Sequence, residues 1–224
     1  MSAAIRIAAS LGCVAVLLAA CGRESEAQAS DGPAGFSGGS PDDDQPATLD
    51  VPADHSYAGP ALAEFELTEC HGATVDLEQL AGRTVVMDFM FTTCAGPCPA
   101  MTANMQRLQT ELADTDVLLV SVSVDPETDD AAVLREYAKV YGADPERWWF
   151  LTGAEDQMGA LAESVYLAVV PDDTSDALIG YQVAHSTKFL VIDGAGTVRG
   201  YYDGRSEEGI AGVAARARYL DGAR

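Results

Sequence analysis

Basic residues are scarce in this 224-residue chain: 13 Lys and Arg stand against 35 Asp and Glu, for a net charge of −22 at pH 7. That imbalance excludes binding to nucleic acid through its phosphates. It favours cations and basic partner patches, although a solvated acidic surface needs no partner at all. Lys occurs only as Lys139 and Lys188, a preference for Arg that reflects genome composition rather than mechanism. Long apolar runs are missing as well. The one near the N-terminus, about Ile7 to Ala20, is too short for an ordinary membrane span. No repeat period is present, which sets repeat architectures aside.

That N-terminal stretch follows Arg6 and has the make-up of a secretory signal, over residues 1–20. It closes in Leu18-Ala19-Ala20-Cys21-Gly22, which resembles a bacterial lipobox, where the Cys is acylated and begins the mature chain. An uncleaved anchor is the weaker alternative. Several acyl chains on Cys21 hold a protein stably at a membrane surface. The expected location is therefore the cell envelope, on the periplasmic side in a Gram-negative cell.

Export makes thiols prone to oxidation unless a reductant or a metal protects them. Of the five Cys, Cys13 leaves with the signal and Cys21 carries lipid, so Cys70, Cys94 and Cys98 remain. An odd number does not make a framework of structural disulfides.

Residues 21–60 are rich in Gly, Ser, Ala, Pro and Asp, with hardly a large apolar side chain. Such a segment cannot bury enough surface to offset its ordering entropy and reads as a disordered acidic tether. Residues 61–224 read as one domain. Phe65 and Leu67 alternate on a short strand, and Ala73 to Leu77 forms another. Arg83 to Phe91, Val117 to Val124 and Trp148 to Leu151 read as buried strands. Helices are expected from about Cys98 to Leu112, from about Asp129 to Tyr141, around Met158 to Val165, and from Ser206 onward. Lys188 to Asp193 and Thr197 to Tyr202 pair as a hairpin. The pattern predicts an α/β sandwich with a central mixed sheet flanked by helices.

The most informative feature is Cys94-Ala95-Gly96-Pro97-Cys98-Pro99, placed where a buried strand passes into a helix. Thiolate is the active form both for nucleophilic attack and for metal binding. Cys98 in a first helical turn meets unpaired N–H groups and the helix dipole, which predict a lowered pKa. Three intervening residues make the loop wider than in a Cys-x-x-Cys oxidoreductase, with room for two sulfurs around a metal. A plain turn disulfide is the bland reading.

Four blocks carry a family resemblance: Asp88-Phe89-Met90-Phe91-Thr92-Thr93-Cys94 through Cys98-Pro99; Ser121-Val122-Ser123-Val124-Asp125-Pro126; Arg147-Trp148-Trp149-Phe150-Leu151-Thr152-Gly153; and His185-Ser186. In order and spacing they resemble the Sco/SenC family, over about Ala61 to Leu220. The resemblance implies a thioredoxin-like fold, membrane tethering and copper as cargo, bound by Cys94, Cys98 and His185. It also implies a part in assembling the binuclear copper site of cytochrome c oxidase, with oxidase subunit II or another cupredoxin-type site as recipient. An upstream copper donor and a thiol reductant are the further partners. Ligand softness agrees, since thiolates select Cu(I) and an added imidazole supports Cu(II). Two departures touch partner contacts and redox potential: Ala95-Gly96-Pro97 lacks the acidic residue the family often has there, and Ala100 stands where Glu or Asp is common.

Other residues are read more plainly. Asp88, on the strand beneath the Cys loop, is either a proton acceptor for the thiols or a hydrogen-bonded strand-end residue. Asp125 is either a turn residue or a support to the same site. Met101 and Met105 match the core stripe of their helix and are read as packing. Cys70 and His71, adjacent on a strand, are expected to point to opposite faces, leaving Cys70 buried and unpaired. His55 falls in the tether and has no assigned role. Asp172, Asp173 and Asp176 read as a mobile acidic face. Ser186 stands where thioredoxins place a cis-proline, which weighs against a general disulfide oxidoreductase. A thiol–disulfide reductase working through Cys94 and Cys98 without His185 is the enzymatic rival to a copper metallochaperone, and a copper or redox sensor is a third reading.

Overall fold

The computed structural model describes residues 56–165, 170–171, 183–184 and 186–222. In chain order the elements are β1 (Leu67–Glu69), β2 (Thr74–Val75), α1 (Leu77–Leu80), β3 (Val85–Met90), α2 (Cys98–Glu111) and β4 (Leu118–Ser123). They continue with α3 (Ala131–Val140), β5 (Trp148–Thr152), α4 (Glu155–Ser164), β6 (Val170–Pro171), β7 (Val183–Ala184), β8 (Lys188–Ile192), β9 (Val198–Asp203) and α5 (Glu207–Gly222). Seven strands form one sheet in the order β2-β1-β5-β4-β3-β8-β9.

Its centre is the parallel trio β5, β4 and β3, with β8 antiparallel on one side and β1 antiparallel on the other. Every residue of β3 and β4 is buried, as expected of strands covered on both faces. Val85, Val86, Met87, Phe89 and Met90 each gain about 2 kcal/mol from burial. Together they outweigh the cost of the one polar side chain between them, Asp88, which is about 2–7 kcal/mol in neutral form.

α2 lies between α3 and α5 and is bonded to both. The Thr102 hydroxyl meets the Tyr137 hydroxyl (2.9 Å), and the Arg107 guanidinium donates to the Glu207 carboxylate (2.8 Å). Hairpin β8–β9 turns through Asp193, whose Oδ1 accepts from Ala195 N and Thr197 N, with Gly196 at φ 78° completing the reversal. Residues from Tyr57 onward, within the segment read as tether, lie against this hairpin. Arg199 Nε donates to the Tyr57 carbonyl, and Gly59 N–H to that of Val198.

Two features depart from expectation. The strand expected to run to Leu77 stops at Val75, because Asp76 and Gln79 form a reciprocal capping box that opens α1. A two-stranded ribbon, β6–β7, precedes β8. No helix among the described residues is long and apolar enough to cross a membrane.

Candidate metal centre

β3 delivers the chain to the Cys loop, and the loop is tied down from three sides. The Cys94 N–H donates to the Phe91 carbonyl (3.3 Å), a tight turn directly after the strand. The loop is then clamped by Asp129, which is completely buried. Its carboxylate accepts from the Thr92 N–H (3.0 Å), the Thr92 hydroxyl and the Ser123 hydroxyl (2.6 Å). The parallel pairing Met90↔Ser123 brings these donors together at the ends of β3 and β4.

Pro97 is the N-cap of α2 and Cys98 its first residue, with Pro99 next, where a missing N–H costs nothing. Thr102 Oγ1 donates back to the Cys98 carbonyl (2.9 Å) and also meets the Tyr137 hydroxyl (2.9 Å), so α3 holds the first turn in place.

Cys94 and Cys98 are both buried, with no disulfide between them, and are joined by a side-chain hydrogen bond. The lowered pKa expected for Cys98 is not found. Burial drives it well above the ordinary thiol range, and the hydrogen bond to Cys94 and the charge of Asp88 push the same way. A backbone hydrogen bond from Phe91 opposes the shift without reversing it. Loss of water around the sulfur outweighs the helix dipole. Burial thus holds Cys98 as a thiol, and a metal that binds its sulfur displaces the proton to solvent.

Asp88 is fully buried on β3, and neither carboxylate oxygen has a hydrogen-bond partner of normal geometry. Burial raises its pKa from 3.8 to about 7; the Ser121 hydroxyl, level with it on β4, offsets only part of that rise. Asp125 is a turn residue, its Oδ1 accepting from the Thr128 N–H (3.3 Å). Asp129, overlooked in the sequence, is the acid that reaches the Cys loop. Met101 and Met105 are fully buried in the α2 core stripe with Leu108. Ser186 is buried, its hydroxyl accepting from Lys188 N–H (3.1 Å).

His185, Asp172, Asp173, Asp176, His55 and Cys21 lie outside the described residues. Cys70 and His71 do not point apart as expected. β1 ends at Glu69, so both residues fall on a turn where strand alternation no longer holds, and their side chains converge on the Glu69 carboxylate.

The sheet order, the α2 entrance after β3 and the buried dithiol at that junction define a thioredoxin-like domain with a two-cysteine site. Residues 53–220 match the SCO1/SenC family model, and the chain belongs to that family. A protein of Stutzerimonas stutzeri described as a putative copper-binding protein is 30% identical, over 63% of this chain and 68% of its own. The solved structure of a SCO1/SenC family lipoprotein from Bacillus anthracis is 30% identical with a TM-score of 0.67, covering 74% of this chain and 98% of that one. BsSco, described as a member of the Sco family of cytochrome c oxidase assembly proteins, is 27% identical with a TM-score of 0.62, covering 74% and 96%.

Proposed function

We propose that this chain is an exported, lipid-anchored copper carrier that loads the binuclear copper site of cytochrome c oxidase. The observation that carries the reading is the Cys94–Cys98 pair: two buried, mutually hydrogen-bonded thiols on a loop clamped at both ends. Two soft sulfurs at one point are a donor set for Cu(I), and a neighbouring imidazole extends it to Cu(II). His185 is the proposed third ligand. Support for it comes from the antiparallel register Met87↔Leu190, which brings the start of β8, and the buried Ser186 before it, to the end of β3 from which Cys94 hangs. The copper-binding and oxidase-assembly descriptions of two relatives point the same way. The lipoprotein description of the third supports acylation at Cys21, with residues 1–20 as signal and 21–60 as tether.

In this account a reductant keeps the pair as thiols, and copper displaces the two thiol protons as it binds. Asp129 and Thr102 hold the two ends of the loop while sulfurs and imidazole are exchanged for the ligands of the recipient site. The rival reductase reading needs a reactive thiolate. A thiol whose proton is held by burial, as in Cys98, is a poor attacking group at neutral pH, so that reading needs Cys94 as the attacking sulfur.

Copper titration of the reduced domain tests the proposal. One Cu(I) is expected per chain, lost in Cys94→Ala and in Cys98→Ala, while Met101→Leu leaves it intact. In His185→Ala the thiolate-to-Cu(II) absorption of the native site is expected to disappear. Unchanged spectra and stoichiometry in that variant identify a different third ligand.

A further inference from the structure

The turn joining β1 to β2 gathers three side chains of different chemistry around one point. Gly72, at φ 98°, lets the chain reverse, with Glu69 N–H donating to the Ala73 carbonyl (2.8 Å). Cys70 N–H donates to the Phe150 carbonyl (2.9 Å), which pins the turn to β5. Glu69 and Cys70 are buried, whereas the His71 imidazole is 48% exposed. Cys70 Sγ lies 3.0 Å from Glu69 Oε1 and 3.4 Å from His71 Nδ1, and His71 Nδ1 lies 3.0 Å from the same Oε1. One sulfur, one nitrogen and one oxygen therefore make a small triangle.

We infer that Glu69, Cys70 and His71 form a second metal site, for a divalent ion of the zinc type. A tetrahedral ion with bonds of about 2.0–2.3 Å needs ligand-to-ligand edges of roughly 3.3–3.6 Å. The observed edges reach that with an opening of a few tenths of an ångström. Donor chemistry narrows the choice. The thiolate disfavours magnesium and calcium, and the carboxylate disfavours Cu(I), so a borderline divalent ion suits the set best. Thiolate and carboxylate together also balance two positive charges. On binding, the ion takes the place of the Cys70 thiol proton, which passes to solvent. Three protein ligands and a half-exposed imidazole leave the fourth position open to water, the pattern of an exchangeable ion rather than a locked structural one.

This site is separate from the Cys94–Cys98 pair. β1 and β3 are three strand spacings apart in the sheet, about 14 Å. It therefore stands or falls independently of copper carriage.

Cobalt(II) titration of the reduced full chain carrying Cys94→Ser and Cys98→Ser tests the inference. One ion per chain with thiolate-to-Co(II) absorption is expected, displaced stoichiometrically by zinc. Adding Cys70→Ser is expected to abolish that absorption. Adding His71→Ala is expected to weaken cobalt binding by more than about tenfold, since removing a ligand costs more than removing a ligand's hydrogen-bond partner, which already costs roughly 10–100-fold. Because His71 is half exposed, its replacement leaves the fold intact, and an unchanged metal-free melting temperature confirms this. Absence of thiolate-to-Co(II) absorption in the starting chain, or its persistence in both further variants, overturns the site and leaves a hydrogen-bonded triad only.

Discussion

Asp88 and Cys98 show how far burial dominates the chemistry of single residues here. The unfolded carboxyl titrates near 3.8 and the folded one near 7, so between those values the native state holds a proton that the unfolded chain has lost. Stability from this group is complete below about pH 4 and is lost as pH rises through about 7. Asp88→Asn removes that dependence. Urea unfolding is expected to show the variant gaining on the native chain between pH 5 and pH 8, by roughly 2–3 kcal/mol. Parallel stability curves contradict the assignment. Cys94 and Cys98 were legible in the sequence because their spacing and their place after an apolar strand are local facts. The direction of the Cys98 shift was not, since burial depends on what α3, β3 and β4 contribute around the sulfur. Cys70 and His71 were misread for a similar reason: alternation across a strand applies only while the strand continues, and β1 stops one residue before them.

At the level of elements, the unit that matters is β3, its loop and α2, closed by the start of α3. The sequence offers Asp125, Asp129 and Asp130 in a row of equivalents, and each does something different. Asp125 shapes a turn, and Asp130 caps α3 by accepting from Ala132 N–H and Val133 N–H. Asp129 alone turns inward, because only there do the Thr92 and Ser123 donors converge, a meeting that parallel strand pairing creates. Replacing Asp129 with Ala strands three donors, the Ser123 hydroxyl buried and the two of Thr92 half-buried, and is expected to destabilise the domain by about 2–3 kcal/mol. It is also expected to weaken copper binding at least about tenfold and shift the thiolate-to-Cu(II) absorption, without removing a ligand. Asp125→Ala is the control, and equal effects from the two variants contradict a clamp at Asp129. The long, strongly apolar strands and the periodic helices were readable ahead of the structure. α1, four residues long, was too short for periodicity to mark, although its Asp76 and Gln79 carry a capping signal. The β6–β7 ribbon has only two residues a side and leaves still less trace.

For the whole molecule, the sequence foretold a mixed sheet and helices but not the strand order, in which β5 inserts between β1 and β4. That order is set by long-range pairing, which no local pattern encodes. It also sets the two thiol-bearing regions three strands apart, one at the end of the central β3 and one toward the β1–β2 edge. The proposed anchor belongs to this scale too. Intact mass of the protein from membranes is expected to show a chain beginning at Cys21 with acyl mass added, whereas a soluble product cleaved elsewhere removes the anchor. The central claim, copper carriage by Cys94, Cys98 and His185, is tested most directly in cells lacking the native protein and grown at limiting copper. His185→Ala is expected to fail to restore cytochrome c oxidase activity, even while its Cys pair still cycles between thiol and disulfide. Restoration as full as that given by the native chain contradicts copper carriage and assigns the essential role to the dithiol alone.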